Sequence, residues 1–329
     1  MKHRIRNELI AASLCIALFL GIALCGGNAL MPAREGYSAP WEQYLEEPED
    51  SIDVLCLGSS LAYCDVLPAA IYAETGITTY VMAGPLQTMS ISYYYLKECL
   101  KTQSPQVVLL EATSLLYGKY ENYTQVNIAH MPYGANRFSA MLHAAPYSSW
   151  PGLLFPLYSY HSRWEDVTAA ELFAPDSGAD PFAGYIFLSE IEPQERRTER
   201  DFVFDQEAFD FNLKYLQKID ALCREEGIAL ELFISPTCNY ISPELMEIIT
   251  QAVESMTLID YNACFEDLGL DLQADFYDHR HLNVTGAQKF SAHLAQHLRE
   301  RYDLSGAAHD QALWQSRIAH LEAEIQKAA

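Results

Sequence analysis

The sequence predicts an α/β protein, a three-layer α/β/α sandwich whose five-stranded, mostly parallel sheet follows an N-terminal membrane helix. Five short apolar runs alternate with segments of helical periodicity, which is typical of parallel strands joined by crossover helices. The chain has 329 residues, of which 50% are hydrophobic, so it can bury a core of this size. The apolar runs are residues 53–57, 78–82, 106–110, 229–234 and 257–260.

The first element is an uncharged apolar run over residues 9–25, preceded by the basic residues Lys2, Arg4 and Arg6. The basic flank predicts a transmembrane helix within residues 1–31, with its amino end in the cytoplasm. A cleaved signal peptide has the same flank and length, and that alternative stays open. In both cases the rest of the chain is exported.

The segments between the apolar runs carry helical patterns. Residues 68–75 and 90–101 predict two helices, and apolar residues repeat at helical spacing from Phe209 to Leu222 before Gly227 ends that helix. Asn283 is the predicted cap of the last core helix. These helices cover the sheet and complete a domain over residues 51–302.

Residues 113–205 interrupt this alternation and predict an insertion, because they are too long for a plain connection. The insertion is rich in aromatic residues and follows the third strand. It predicts either a lid that stacks on sugars or a small packed subdomain. Its aromatic residues include Tyr117, Tyr120, Tyr123, Tyr133, Tyr147, Trp150, Tyr158, Tyr160 and Trp164.

Two further segments complete the predicted organisation. Residues 32–50 form a linker between the membrane helix and the domain. Residues 303–329 form a tail in which Trp314, Ile318, Leu321 and Ile325 recur at helical spacing, so the tail is an amphipathic helix for packing or for a partner.

Charge and cysteine usage exclude several classes of function. The formal net charge is −23, and no basic stripe is present, so we expect no nucleic-acid partner. The eight cysteines contain no C-x-x-C pair. Asp278, His279 and His281 could bind a metal ion, but a stable site needs more ligands and none is evident nearby in the sequence. We therefore expect no metal site and no cofactor.

Two distant polar motifs carry the candidate chemistry. Ser59 and Ser60 follow Gly58 at the end of the first apolar run, where an open α/β sheet keeps its ligand crevice. Asp278 precedes His281 by three residues, just before the last core helix. This spacing lets the carboxylate orient the imidazole toward a nucleophilic Ser60.

These motifs resemble those of the SGNH (GDSL-like) hydrolases, and more closely a membrane-anchored branch related to the D-alanyl-lipoteichoic acid and alginate O-acetylation proteins. The resemblance covers residues 53–111 and 229–298, but not the insertion. It implies a flavodoxin-like sheet, with Ser60 as nucleophile, His281 as general base and Asp278 as its orienting acid. It also implies an oxyanion hole formed by the backbone N–H groups of Ser60 and Gly84. The matching blocks are Leu57-Gly58-Ser59-Ser60, Ala83-Gly84-Pro85-Leu86-Gln87 and residues 275–287.

The chain departs from the family at two places. Ser59 replaces the aspartate that usually precedes the nucleophile, a change found in the anchored branch. The Gly-x-Asn-Asp block is missing, and residues 111–114 stand in its place. The third oxyanion donor is therefore open; Gln87 is a candidate because it follows Gly84 and carries an amide, although a surface glutamine fits equally well.

The expected function is that of an exported, membrane-anchored serine esterase or O-acyltransferase. The expected substrates are acyl esters, above all acetyl esters, of an envelope or exported polysaccharide, with a membrane-bound O-acyltransferase as a further partner. The alternative is a non-catalytic polysaccharide-binding or assembly factor on the same fold. Residues that bind the substrate are not identified by the sequence.

Overall fold

The centre of the molecule is a five-stranded parallel sheet. The computed structural model describes residues 2–32, 37–121, 123–169, 178–198, 202–304 and 310–328. Along the sheet the strands run in the order β2-β1-β3-β5-β7, and each neighbouring pair is parallel. The sheet strands are β1 (Val54–Gly58), β2 (Thr79–Ala83), β3 (Val107–Glu111), β5 (Ala229–Ile234) and β7 (Thr257–Asp260), and a separate two-stranded sheet pairs β4 (Arg197–Thr198) with β6 (Asn239–Tyr240).

The described residues form a series of helices, and several of these cover the two faces of the sheet. The helices are α1 (Lys2–Leu30), α2 (Trp41–Tyr44), α3 (Ser60–Asp65), α4 (Pro68–Thr75), α5 (Met89–Cys99), α6 (Thr124–Ala129), α7 (Ala135–Ala144), α8 (Trp150–Leu154), α9 (Pro156–Tyr160), α10 (Gln206–Glu226), α11 (Pro243–Ala252), α12 (Val284–Arg301) and α13 (Gln311–Ala328). The described residues also form three short 3₁₀ helices: η1 (Ala112–Leu116), at the start of the inserted region, and η2 (Tyr147–Ser149) and η3 (His161–Glu165) within it.

Alternation along the strands divides the core into two apolar clusters. In β1, Leu55 and Leu57 pack on one face with helices α5 and α10, whereas Val54 and Cys56 pack on the other with α4 and α12. Strands β1, β2 and β3 are buried at every residue. This explains why the parallel strands are continuous apolar runs in the sequence.

The predicted fold class is confirmed. The structure has the five predicted strands, three of them displaced by one residue, with helices on both faces of a parallel sheet. Asn283 caps α12 as predicted, because its side chain accepts hydrogen bonds from the backbone N–H groups of Thr285 and Gly286. Parts of the predicted linker, insertion and tail lie outside the described residues, and the division of the chain into these regions stays a prediction.

Helix α1 extends away from the sheet. Its residues 4–30 are long and apolar enough to cross a membrane or to serve as a signal sequence. Residues 4–22 are exposed, and the contacts of α1 with the other described residues come from its last two turns. One end of α1 is therefore attached to the inserted region, and the apolar remainder is uncovered by protein.

The predicted tail helix, α13, packs onto the domain. Trp314 stacks on Tyr72 of α4 with ring centroids 4.9 Å apart. Arg317 is buried, forms an ion pair with the buried Glu47, and donates through Nε to the carbonyl oxygen of Asp180 at 3.0 Å. Burial raises the pKa of Glu47, although Arg317 opposes this rise.

Removing the cation of this buried pair should destabilise the protein. We expect Arg317→Met to lower the free energy of unfolding by about 3 kcal/mol, because Glu47 is left buried without its partner. The measurement is urea unfolding followed by circular dichroism. The double variant Glu47→Gln/Arg317→Met should recover part of the loss, and Lys327→Met, which breaks an exposed pair with Glu324, should leave stability unchanged. Equal stability of Arg317→Met and the unsubstituted protein would contradict this role.

Candidate active site

Ser60 lies at the carboxyl end of β1, at the start of α3. The strand order reverses between β1 and β3, and this is the edge at which doubly wound sheets bind ligands. Gly58 makes the turn possible, because its φ of +156° is unusual for other residues and a Cβ there would collide with the Cβ of Glu111. The Ser59 side chain caps α3 by accepting from the backbone N–H of Leu61.

His281 is held in a short loop that precedes α12. The loop is closed by an antiparallel bridge between Phe276 and Leu282, and the Tyr277 N–H donates to the His281 carbonyl at 2.9 Å. The Asn283 N–H donates to the carbonyl of Asp275 at 3.0 Å. The loop therefore presents the imidazole at the same edge of the sheet as Ser60.

The structure brings the three predicted polar residues into one hydrogen-bonded line. The distance between Ser60 Oγ and His281 Nε2 is 2.8 Å. On the other side of the ring, His281 Nδ1 lies 3.0 Å and 2.9 Å from the two oxygens of Asp278. An ionised carboxylate only accepts, so Nδ1 carries the hydrogen and Nε2 is free to accept the serine proton.

Asp278 is kept ionised by its hydrogen bonds. Burial acts to raise the pKa of Asp278, but the His281 ring and the backbone N–H groups of Arg280 and His281 outweigh it and bring this pKa to about 2. The two backbone distances to Oδ1 are 2.7 Å and 2.9 Å. The carboxylate is thus a fixed negative charge that can stabilise an imidazolium at the next position.

A buried carboxyl that sequence reasoning missed joins the two halves of the site. Asp65, the last residue of α3, is fully buried and accepts the backbone N–H of Leu282 at 3.0 Å. Burial raises the pKa of Asp65 well above its ordinary value. The signal available in the sequence is a lone acidic residue inside the apolar stretch 61–67 that follows Ser60.

The two predicted oxyanion donors, the backbone N–H groups of Ser60 and Gly84, follow the ends of the neighbouring strands β1 and β2. Gly58 pairs with Ala83, so Gly84 follows β2 beside the turn that leads to Ser60. A Cβ at Gly84 would collide with the side chain of Asn127. The N–H of Ser60 is in the first turn of α3, where helical N–H groups lack intrahelical partners. Their role as oxyanion donors stays a prediction.

Gln87 does not lie in the site. Its side chain is fully buried, and its amide nitrogen donates to Ser92 Oγ at 3.0 Å and to the Met82 carbonyl at 3.5 Å. The amide that we expected to face a reacting oxygen is therefore used inside the protein. The structure does not support Gln87 as the third oxyanion donor, because a buried and occupied amide cannot reach the crevice.

A polar network lies beneath the nucleophile. Tyr117 donates to Ser59 Oγ at 3.0 Å, and Ser59 Oγ donates to Glu111 Oε2 at 3.2 Å. The other carboxyl oxygen of Glu111 accepts the Thr113 N–H at 2.7 Å, which fixes the turn after β3. Burial raises the pKa of Glu111 to about 7, although its hydrogen bonds oppose this rise.

The crevice beside Ser60 and His281 has a volume of about 470 Å³. Its walls are mainly apolar and aromatic, and they include Tyr37, Tyr63, Leu86, Tyr123, Ile186 and Tyr277. Of the nine insertion aromatics named from the sequence, Tyr123 lines this crevice in the described part of the chain. Others, such as Tyr117, are buried in the core, so the inserted aromatics do not share one role.

Comparison with known proteins gives distant structural similarities only. No protein-family profile and no curated protein matches the chain. The chain is similar to a presumed acylhydrolase from Bacteroides fragilis NCTC 9343, with 10% identity and a TM-score of 0.41, covering 79% of this chain and 94% of that one. It is also similar to the acetyl xylan esterase Est2A from the rumen bacterium Butyrivibrio proteoclasticus, with 11% identity and a TM-score of 0.34, covering 79% and 66%. A gut microbial diltiazem-metabolizing enzyme shows 11% identity and a TM-score of 0.24, covering 66% and 43%.

Neutralising Glu111 should remove part of the pH dependence of stability. The ordinary pKa of 4.5 rises to about 7 in the folded protein, so the folded state binds more protons and unfolding becomes easier as pH rises from about 4.5 to 7. Glu111→Gln mimics the protonated carboxyl. We expect the free energy of unfolding of Glu111→Gln, relative to that of the unsubstituted protein, to increase across this pH range by up to about 3 kcal/mol.

The measurement is the free energy of unfolding in urea at a series of pH values. Glu226→Gln, at an exposed position at the end of α10, is the control and should leave the pH profile unchanged. Parallel profiles for Glu111→Gln and the unsubstituted protein would contradict the assignment of this carboxyl.

Proposed function

We propose that the chain is a membrane-anchored, extracytoplasmic serine esterase or O-acyltransferase of the SGNH type. The observation that carries the proposal is the 2.8 Å contact between Ser60 Oγ and His281 Nε2, with Asp278 on the other ring nitrogen. A hydroxyl, an imidazole and a carboxylate in this order form the constellation that activates a serine toward a carbonyl carbon.

The reaction proceeds in two steps. Ser60 Oγ attacks the ester carbonyl while its proton passes to His281 Nε2, and the tetrahedral intermediate carries the negative charge on the former carbonyl oxygen. The N–H groups of Ser60 and Gly84 are the donors for that oxygen. The alcohol leaves with the proton from His281, and the acyl group stays on Ser60. Water or a carbohydrate hydroxyl then attacks the acyl-enzyme, giving up its proton to His281 as Ser60 is released.

The crevice supports an ester in which one part is a sugar. An acetyl group fills only a small part of about 470 Å³, so the remaining space accommodates the alcohol portion of the substrate. Tyr37 and Tyr123 line the crevice and are half-exposed, which suits stacking against a sugar ring. Acetyl esters of an envelope or exported polysaccharide are therefore the proposed substrates.

The proposed location is the outer face of the cell membrane. The exposed apolar part of α1 is the anchor, and the basic residues before it favour a cytoplasmic amino end. A membrane-bound O-acyltransferase is the proposed source of acyl groups if the second step transfers them to a carbohydrate. Transfer and hydrolysis differ only in the hydroxyl that attacks the acyl-enzyme.

Removing any member of the triad should remove turnover and leave the fold intact. We expect Ser60→Ala and His281→Gln to lower kcat for 4-nitrophenyl acetate on the order of 10⁴-fold or more, and the double variant to be no worse than either. Asp278→Asn should lose on the order of 10⁴-fold, because the imidazole then takes the wrong tautomer. Circular dichroism should be unchanged. Ser316→Ala, on the surface of α13, is the matched control, and full activity of Ser60→Ala would refute the proposal.

A non-catalytic binding or assembly factor is the second candidate. The observation in its favour is the position of Gln87, whose amide is occupied by Ser92 and Met82, leaving the third oxyanion donor without an assigned residue. On this alternative the crevice and the inserted region hold a polymer or a protein partner without bond cleavage.

A fluorophosphonate probe separates the two candidates, because only an activated serine reacts with it. We expect covalent labelling of the folded chain, with the modified peptide containing Ser60 and no labelling in Ser60→Ala. Labelling should also be lost in His281→Gln, which removes the base but keeps the serine. A folded protein that stays unlabelled would favour the binding factor.

A further inference from the structure

The inserted region carries an exposed apolar surface that neither the triad nor the crevice uses. Several large apolar side chains of residues 133–164 point into solvent, among them Tyr147 at 80% exposure, Tyr158 at 68% and Trp164 at 66%. Phe138, Leu154 and Phe155 are exposed in the same region. Large apolar side chains left exposed along one segment of the chain are typical of a surface that contacts an apolar partner.

This surface is joined to the end of α1. A side chain at Gly27 would collide with the backbone of Leu157, so α1 and α9 are in close contact there. Tyr133 donates to Asn28 Oδ1 at 2.9 Å, and Arg163 donates to the Leu30 carbonyl. The last turns of the apolar helix are thus fixed directly to the inserted region.

The length of α1 sets the level of this surface relative to a bilayer. A span of about 20 residues that begins at Leu9, after the last charged residue of the helix, ends near Asn28. The turns that contact α9 and η3 therefore lie at the outer end of the span. Leu24, one turn deeper, lines an apolar cavity of about 260 Å³ together with Phe138, Leu153 and Leu154.

The charge distribution of the sequence also favours contact between this surface and a lipid bilayer. The chain has 44 acidic residues, yet residues 122–164 contain neither Asp nor Glu. Carboxylates are repelled by anionic headgroups, whereas tyrosine and tryptophan favour the boundary between headgroups and acyl chains. The absence of carboxylates and the abundance of aromatic residues over 122–164 therefore favour contact with a lipid surface.

We propose that residues 133–164, the docking surface, lie on the outer surface of the bilayer that α1 crosses, with Tyr147, Tyr158 and Trp164 in the headgroup layer. The proposal rests on the membrane anchoring in the proposed function. It adds a second, peripheral contact that holds the catalytic domain against the lipid.

The test is quenching of Trp164 fluorescence in nanodiscs of phosphatidylcholine and phosphatidylglycerol, with the phosphatidylcholine brominated near the headgroup end of its acyl chains. The full chain carries Trp150→Phe, and the same chain with Trp164→Phe gives the background from the buried Trp41 and Trp314. We expect brominated lipid to lower the Trp164 signal roughly twofold or more, as for tryptophans at the interface. Replacing Tyr158 and Phe155 by Glu should reduce this quenching and leave 4-nitrophenyl acetate turnover unchanged.

The matched control adds Glu225→Trp to the chain that lacks Trp150 and Trp164. Glu225 is exposed near the end of α10, just before β5 begins, at the opposite edge of the sheet from Ser60. Its tryptophan should not be quenched. Equal quenching of the tryptophans at positions 164 and 225 by brominated lipid would overturn the proposal. Quenching of Trp164 that appears only after another protein is added would overturn it as well.

Carbonate extraction of cell membranes separates the two proposals. A chain that stays in the membrane while Trp164 is unquenched keeps its anchor and lacks the docking surface. A chain that is released by carbonate lacks the anchor, and the docking surface fails with it. Neither result changes the assignment of Ser60, which depends on turnover and probe labelling.

Discussion

The hydrogen bond between the Asp65 carboxyl and the Leu282 N–H connects parts of the chain that are 217 residues apart. One partner ends the helix that begins with Ser60, and the other follows His281 directly. Because this contact is fully buried, it fixes the spacing of hydroxyl and imidazole in a way that an exposed contact would not. Ser291 of α12 adds to it by accepting the Leu67 N–H at 2.8 Å.

The network under Ser60 holds Ser59 in place. The Ser59 hydroxyl donates to the buried carboxyl of Glu111, which comes from the neighbouring strand β3. Tyr117, from the start of the inserted region, completes the hydrogen bonds of Ser59. The turn that carries the nucleophile is therefore tied to β3 and to the insertion, so a change in either reaches Ser60 through a single residue.

Strand positions and the meeting of Ser60 with His281 followed from the sequence because both depend on simple rules. Fully buried parallel strands are apolar throughout, and their carboxyl ends share one edge. The prediction of Gln87 as an oxyanion donor failed because the direction of a side chain depends on neighbours that the local sequence does not specify. Here the neighbour is Ser92, one turn into α5. Asp65 was missed for the same reason, since its partner lies far away in the chain.

Helix α1 continues without interruption from Lys2 to Leu30, and its last turns are packed against α9. Helix α9 in turn packs against α8, and α8 packs against α6, which carries the crevice residue Val126 and directly follows the crevice residue Tyr123. The end of α1 is therefore connected to the crevice through a series of packed helices. In the membrane-anchored enzyme that we propose, these contacts would hold Ser60 at a set distance from the bilayer, and an acylated substrate would have to approach to that distance.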